Sequence, residues 1–127
     1  MMEIQWFSRN NHGVATIYET NITLNTVAAN HFKNAYTTLI GFDDHQKALV
    51  IKAVNKDEQA MGLYSEEETH SISIKPSYGR INGKNIIRNL VRIFPLDFTS
   101  KPFHKFPCEW NQTEKMLKIF LEKEVTV

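Results

Sequence analysis

Cysteine occurs once in these 127 residues, at Cys108, so no internal disulfide framework can form and a reducing compartment, the cytoplasm first, is the expected setting. Charge of one sign is also scarce. With 15 Lys and Arg against 14 Asp and Glu the formal charge is +1, and no global field draws the chain to nucleic acid or an anionic membrane. Any electrostatic role must be local. Long apolar runs are missing as well: Ala48 to Ile51 is far short of the roughly 20 residues that a spanning helix needs. The start Met1-Met2-Glu3-Ile4 lacks the basic-then-apolar profile of a signal peptide, and no membrane partner is expected. The few glycines, Gly13, Gly41, Gly62, Gly79 and Gly83, fit neither the dinucleotide-binding spacing nor a P-loop, so no nucleotide cofactor is implied.

What is present is an ordinary folding composition, 42% apolar and 23% charged, which lies far from disorder and suits one domain. Glu3 to Arg9 and Val14 to Thr20 flank the turn-forming Asn10-Asn11-His12-Gly13 and read as a hairpin. Asn25 stands as an N-cap before Thr26 to Ala35, where Ala28, Phe32 and Ala35 share a helical face. Thr38 to Phe42 and Ala48 to Val54 form a second hairpin around Asp43-Asp44-His45-Gln46-Lys47. Residues 55–68 are polar and acidic, with one helical turn expected around Asp57 to Leu63, and look like a connector.

Beyond it, Ser71 to Lys75 alternates as a half-buried strand. From the candidate N-cap Asn82, the residues Ile86, Ile87, Leu90, Val91 and Phe94 trace one face of a helix that Pro95 stops. After a loop at Pro95 to His104, Lys105 to Trp110 and Lys115 to Glu124 read as a final hairpin. The order thus repeats. Phe42 to Ile51 aligns with Trp110 to Ile119 without a gap, with lysine, leucine and isoleucine coinciding, and Ala28, Phe32 and Ala35 match Ile86, Leu90 and Ile93 at one offset. The expected fold is α+β: a β-rich, mainly antiparallel single domain of two pseudo-repeated strand–helix–hairpin halves, about 1–54 and 69–127.

Catalytic signals are weak. His12, His31, His45, His70 and His104 are scattered without the close ligand spacing of a metal site on one helix, and no metal is expected. Cys108 has His104 as its nearest base in sequence, but four residues along a strand separate the two by more than about 12 Å. A buried structural cysteine is the expected role. The carboxylate pairs at Asp43-Asp44 and Glu66 to Glu68 belong to loops that face water, so an enzyme is not indicated.

One charge feature is not random: Thr69 to Leu96 contains Lys75, Arg80, Lys84, Arg88 and Arg92 and no carboxylate. On the helix, Lys84, Arg88 and Arg92 form a stripe opposite most of the apolar face. Either the stripe is a solvated face answered by the acidic connector, or Arg80, Lys84, Arg88 and Arg92 form a contact surface for DNA or another anionic macromolecule. Tyr78-Gly79-Arg80-Ile81, followed by a helix with Arg88 and then a hairpin, resembles the AbrB/MraZ/SpoVT class of swapped-hairpin transcription regulators. The resemblance covers about 45 residues and implies a β-rich homodimer or duplicated barrel that places Arg80 and Arg88 on DNA. The sequence departs from that pattern at Gly83-Lys84, where an Ile-Pro pair is expected, and in its first half, whose matching segment Asn21 to Leu24 has no arginine. A second function class stays open, an assembly or protein-interaction module anchored by Trp6, Phe7, Phe103, Phe106 or Trp110.

Overall fold

Alternation of apolar and polar side chains dominates the chain and builds one antiparallel sheet of nine strands. The computed structural model describes residues 3–4 and 12–125. Its strands are β1 (Gly13–Tyr18), β2 (Asn21–Asn25), β3 (Thr37–Asp43), β4 (Ala48–Val54), β5 (Thr69–His70), β6 (Ser73–Ile74), β7 (Tyr78–Asn82), β8 (Phe103–Asn111) and β9 (Met116–Phe120). Helices α1 (Thr26–Ala29), α2 (Lys56–Ala60) and α3 (Lys84–Ile93) interrupt them.

The sheet order β5-β3-β4-β9-β8-β1-β2-β7-β6 puts β5 and β6 at opposite edges, although only Ser71 and Ile72 separate them in the chain. Laid flat, nine strands would hold those edges about 38 Å apart. Three Cα steps span at most about 11 Å. The sheet is therefore curled into a barrel-like shell, and residues 69–74 bridge its edges by pairing with β3 on one side and β7 on the other. This is why the single strand expected at Ser71 to Lys75 is two short ones: the segment changes partners midway.

Inside the curl lie Ala15, Ile17, Ile22, Leu24, Ile51, Ile81, Phe106, Leu117 and Ile119, all at most 1% exposed, with Ala28, Ala29 and Phe32 packed among them. Helix α1 is only four residues long, and a 3-10 turn at Asn30–Phe32 completes what the sequence suggested as a helix to Ala35. Such a piece does not hold itself together. Asn25 caps it, its side chain accepting from the Ala28 amide at 3.1 Å, and glycines let it approach the sheet. A Cβ on Gly79 would stand 3.1 Å from that of Ala29, and one on Gly13 would stand 3.4 Å from that of Ala28 and 2.9 Å from the Cys108 sulfur on β8. Helix α3 buries Ile86, Ile87 and Leu90 as its periodicity requires. Its N-cap is Gly83 and not Asn82, because Asn82 is still paired with Asn21 in the β2–β7 ladder.

The two hairpins expected after the helices are present as β3–β4 and β8–β9, and they pair through β4 and β9. Their loops place Lys47 and Lys115 at positive φ, 51° and 58°. The loops also cross-brace: the Ala53 amide donates to the Lys115 carbonyl, and the Leu121 amide to the Lys47 carbonyl. The first hairpin is different. Its strand at Glu3 to Arg9 lies almost wholly outside the described residues, and β1 pairs instead with β2 and β8 on its two edges. The connector forms α2 and a 3-10 turn at Glu66–Glu68 and buries no side chain in either. No helix among the described residues is long and apolar enough to cross a membrane.

Candidate functional site: a basic groove along α3

Helix α3 starts where the Gly83 amide donates to the Thr20 carbonyl at 3.0 Å, so its first turn is tied to the β1–β2 turn. It ends with the Phe94 amide on the Leu90 carbonyl, at 2.7 Å, just before Pro95. The chain then folds back as the loop 95–102. Between helix, turn and loop runs a groove of about 680 Å³. Lys84, Arg88 and Arg92, one helical turn apart and exposed, line it together with Ile87, Val91, Leu96 and Phe98. The cations thus flank an apolar floor.

Arg80 does not join them. It sits exposed on the outer face of β7, its guanidinium 5.1 Å from the centroid of the Tyr78 ring. Geometry therefore splits the four expected contacts into three in one groove and one on the sheet. Among the described residues, none of the four has a carboxylate within 4 Å, so no connector carboxylate forms an ion pair with them. Arg88 Nη1 has one long contact, 3.5 Å to Asn85 Oδ1.

Two carboxylates also line the groove, Glu19 and Asp97. Asp97 is committed to its own loop: its oxygens accept from the Thr99 hydroxyl at 2.6 Å, the Ser100 hydroxyl at 2.7 Å and the Thr99 amide at 2.8 Å. The Thr99 hydroxyl, then that of Ser100, holds the Asp97 carboxyl well below the usual carboxylate range. Glu19 is exposed and has no cation within 4 Å among the described residues.

The loop wall is braced from beneath by His104, a β8 residue only 8% exposed. Its Nε2 donates to the Asp97 carbonyl at 2.7 Å and its Nδ1 lies 2.7 Å from Glu124 Oε1, while Lys101 donates to Glu124 Oε2. Both partners of the ring are acceptors, so both contacts are hydrogen bonds only when the ring carries two protons. The Lys101 hydrogen bond, with His104 behind it, lowers the Glu124 pKa. Asp97 and Glu124 both favour the charged form in the folded state. Their contribution is present above the ordinary carboxylate range and is lost as pH falls below about 4. Amide exchange of the 95–104 segment should show the loop loosening through that acid window; protection unchanged between about pH 6 and about pH 3 contradicts this.

The sequence offers Cys108 and His104 as the nearest nucleophile and base, and the fold keeps them apart in role. His104 is occupied as described, and burial pushes the Cys108 thiol up to about 12. At pH 8 an aromatic disulfide reagent is expected to react with Cys108 only at the rate of unfolding and immediately in denaturant; a rapid native reaction contradicts this. His31 is exposed and its ring stacks on Trp110 at 4.7 Å, the two planes 8° apart. Among the described residues no three His, Cys, Asp or Glu side chains gather as metal ligands.

The sequence does not disclose Leu96, Phe98, Glu19 or Thr20 as groove residues, because the loop's return past α3 brings the first two there and the Gly83–Thr20 hydrogen bond the other two. Comparisons with protein-family models, with curated proteins and with solved structures return no match.

Proposed function

We propose that this is a non-enzymatic binding or regulatory protein that contacts an anionic macromolecule, DNA in the first instance, through the groove along α3. The observation that carries the reading is the set Lys84, Arg88 and Arg92, exposed on one wall with no carboxylate within 4 Å among the described residues. Cations left unpaired beside structure that holds them at fixed spacing favour an anionic partner. Arg80, on a separate face, belongs to the same basic half, and its Gly79-Arg80 strand followed by α3 is the segment that resembles swapped-hairpin regulators.

Fluorescence anisotropy of a labelled mixed-sequence duplex tests this. Binding should weaken steeply with salt. No binding at tens of micromolar protein in low salt overturns the DNA reading. Glu19→Lys removes the uncommitted carboxylate of the groove and is expected to tighten binding several-fold and steepen the salt dependence; an unchanged isotherm places the contact elsewhere.

The apolar floor of Ile87, Val91, Leu96 and Phe98 favours a second reading, a protein-interaction or assembly module, since phosphate backbones offer such side chains nothing to cover. A homodimer and a cytoplasmic setting go with either.

We also infer that the two halves are copies of one unit. Three observations support this. Lys47 and Lys115, aligned by sequence, share the left-handed conformation, and the two hydrogen bonds that brace their loops are each other's counterparts. The bridging residues 69–74 pair with β7 and β3 as β1 pairs with β2 and β8. Only the second copy then carries the basic helix.

A further inference from the structure

The most acidic and most basic stretches of this chain are consecutive in sequence. Residues 55–68 hold five carboxylates and one lysine, and residues 69–96 hold five cations and no carboxylate. Of the 15 cations and 14 carboxylates in the chain, nine of each remain elsewhere, so the chain is a balanced body with one acidic and one basic patch. No ion pair joins the patches among the described residues.

The acidic patch has a specific chemistry. Glu58 and Glu68 are spent on capping boxes with Asn55 and Ser65, while the side chains of Asp57, Glu66 and Glu67 have no polar partner among the described residues. Between them Met61 and Leu63 are 71% and 56% exposed. The connector therefore presents acid, apolar, acid along its length. The groove presents a row of three cations on its helix wall beside an apolar floor, with Glu19 on the turn and Asp97, held by its own loop, as its carboxylates. The row of cations and the apolar floor are complementary in kind to the connector's carboxylates and its exposed Met61 and Leu63.

We propose that the partner of the α3 groove is the connector of a second copy of this chain. Asp57, Glu66 and Glu67 of one copy face Lys84, Arg88 and Arg92 of the other, and Met61 and Leu63 cover Ile87, Val91, Leu96 and Phe98. Each chain carries both patches, so reciprocal exchange about a two-fold axis satisfies all four and closes the assembly as a dimer. The inference rests on the reading that the groove takes an anionic macromolecule; the connector of a second copy and a DNA duplex then compete for the same three cations.

Sedimentation equilibrium over a range of protein concentrations tests it. The wild-type chain should approach the dimer mass in low salt and return to monomer in high salt. Reversing the groove (Arg88→Glu with Arg92→Glu) or the connector (Glu66→Lys with Glu67→Lys) should weaken self-association at least tenfold. An equimolar mixture of the two variants should restore it, because each reversed patch then meets its opposite. All four side chains are exposed, and circular dichroism verifies that each variant folds. A wild-type monomer at every concentration, association that survives either reversal, or a mixture that stays monomeric overturns the inference. In the first case, salt-dependent DNA binding that the groove reversal abolishes leaves the groove reading standing; DNA binding indifferent to that reversal removes both.

Discussion

Alanine in place of Phe32 is expected to lower the free energy of unfolding by about 3–5 kcal/mol. Phe32 is 0% exposed and belongs to the 3-10 turn that follows α1, where its ring meets Trp110 edge-on with centroids 5.3 Å apart. Two costs combine at this position. The transfer free energy of the ring is lost, and the four-residue α1 loses the anchor that presses it on the sheet, so packing around the vacated site is weakened as well. Against a typical domain stability of about 5–15 kcal/mol, that is a large fraction. Urea titration followed by circular dichroism reads the loss directly. Tyr36→Ala, at a side chain 58% exposed, is the control and should stay within about 0.5 kcal/mol. A loss below about 1 kcal/mol for Phe32→Ala would mean that α1 is not part of the continuous core.

The second large effect concerns the groove. Arg88→Glu with Arg92→Glu is expected to weaken duplex DNA binding at least about tenfold and to flatten its salt dependence. Each neutralised phosphate contributes a slope of about −0.9 in log affinity against log salt, so three groove cations give about −2.7 and the reversed groove close to zero. Arg80→Glu, outside the groove, should change affinity less. The fold should survive, since the reversed side chains are exposed and make only the long contact to Asn85. An equal loss from Arg80→Glu and from the groove variant would move the contact to the outer face of β7.

How far these features can be read without coordinates differs from one element to the next. Helix α3 is legible because Ile86, Ile87 and Leu90 obey the 3.6-residue period and end at a proline, and all three are buried. Both late hairpins are legible from alternation around polar loops. Strand β2 is hard to place from sequence although Ile22 and Leu24 alternate with polar neighbours, because the turn-forming Asn10 to Gly13 offers Val14 to Thr20 a nearer hairpin partner at Glu3 to Arg9. Its true partners, β1 and β7, lie on either side of it, and the β7 pairing joins residues more than fifty apart. The break at Ser71 and Ile72 is invisible for a similar reason: it follows from closure of the sheet and not from any local breaker residue.

The site divides in the same way. The i, i+4, i+8 spacing of Lys84, Arg88 and Arg92 places them together on any helix, so that wall follows from periodicity alone. Arg80 is their neighbour in sequence, but it stands on β7, and that strand lies on a different surface from the helix it feeds. The opposite wall depends on His104 holding the Asp97 carbonyl across seven residues, with Glu124 behind it, and no local pattern announces such a brace.

Residue-resolved amide chemical shifts during titration of the ¹⁵N-labelled chain with a short DNA duplex at low salt address the groove most directly. The account predicts shifts concentrated at Lys84 to Arg92, at Leu96 to Thr99 and at Glu19 and Thr20, reversed by added salt. Shifts confined to the outer face of β7 around Arg80, or spread evenly over the lysines of the surface, would contradict it.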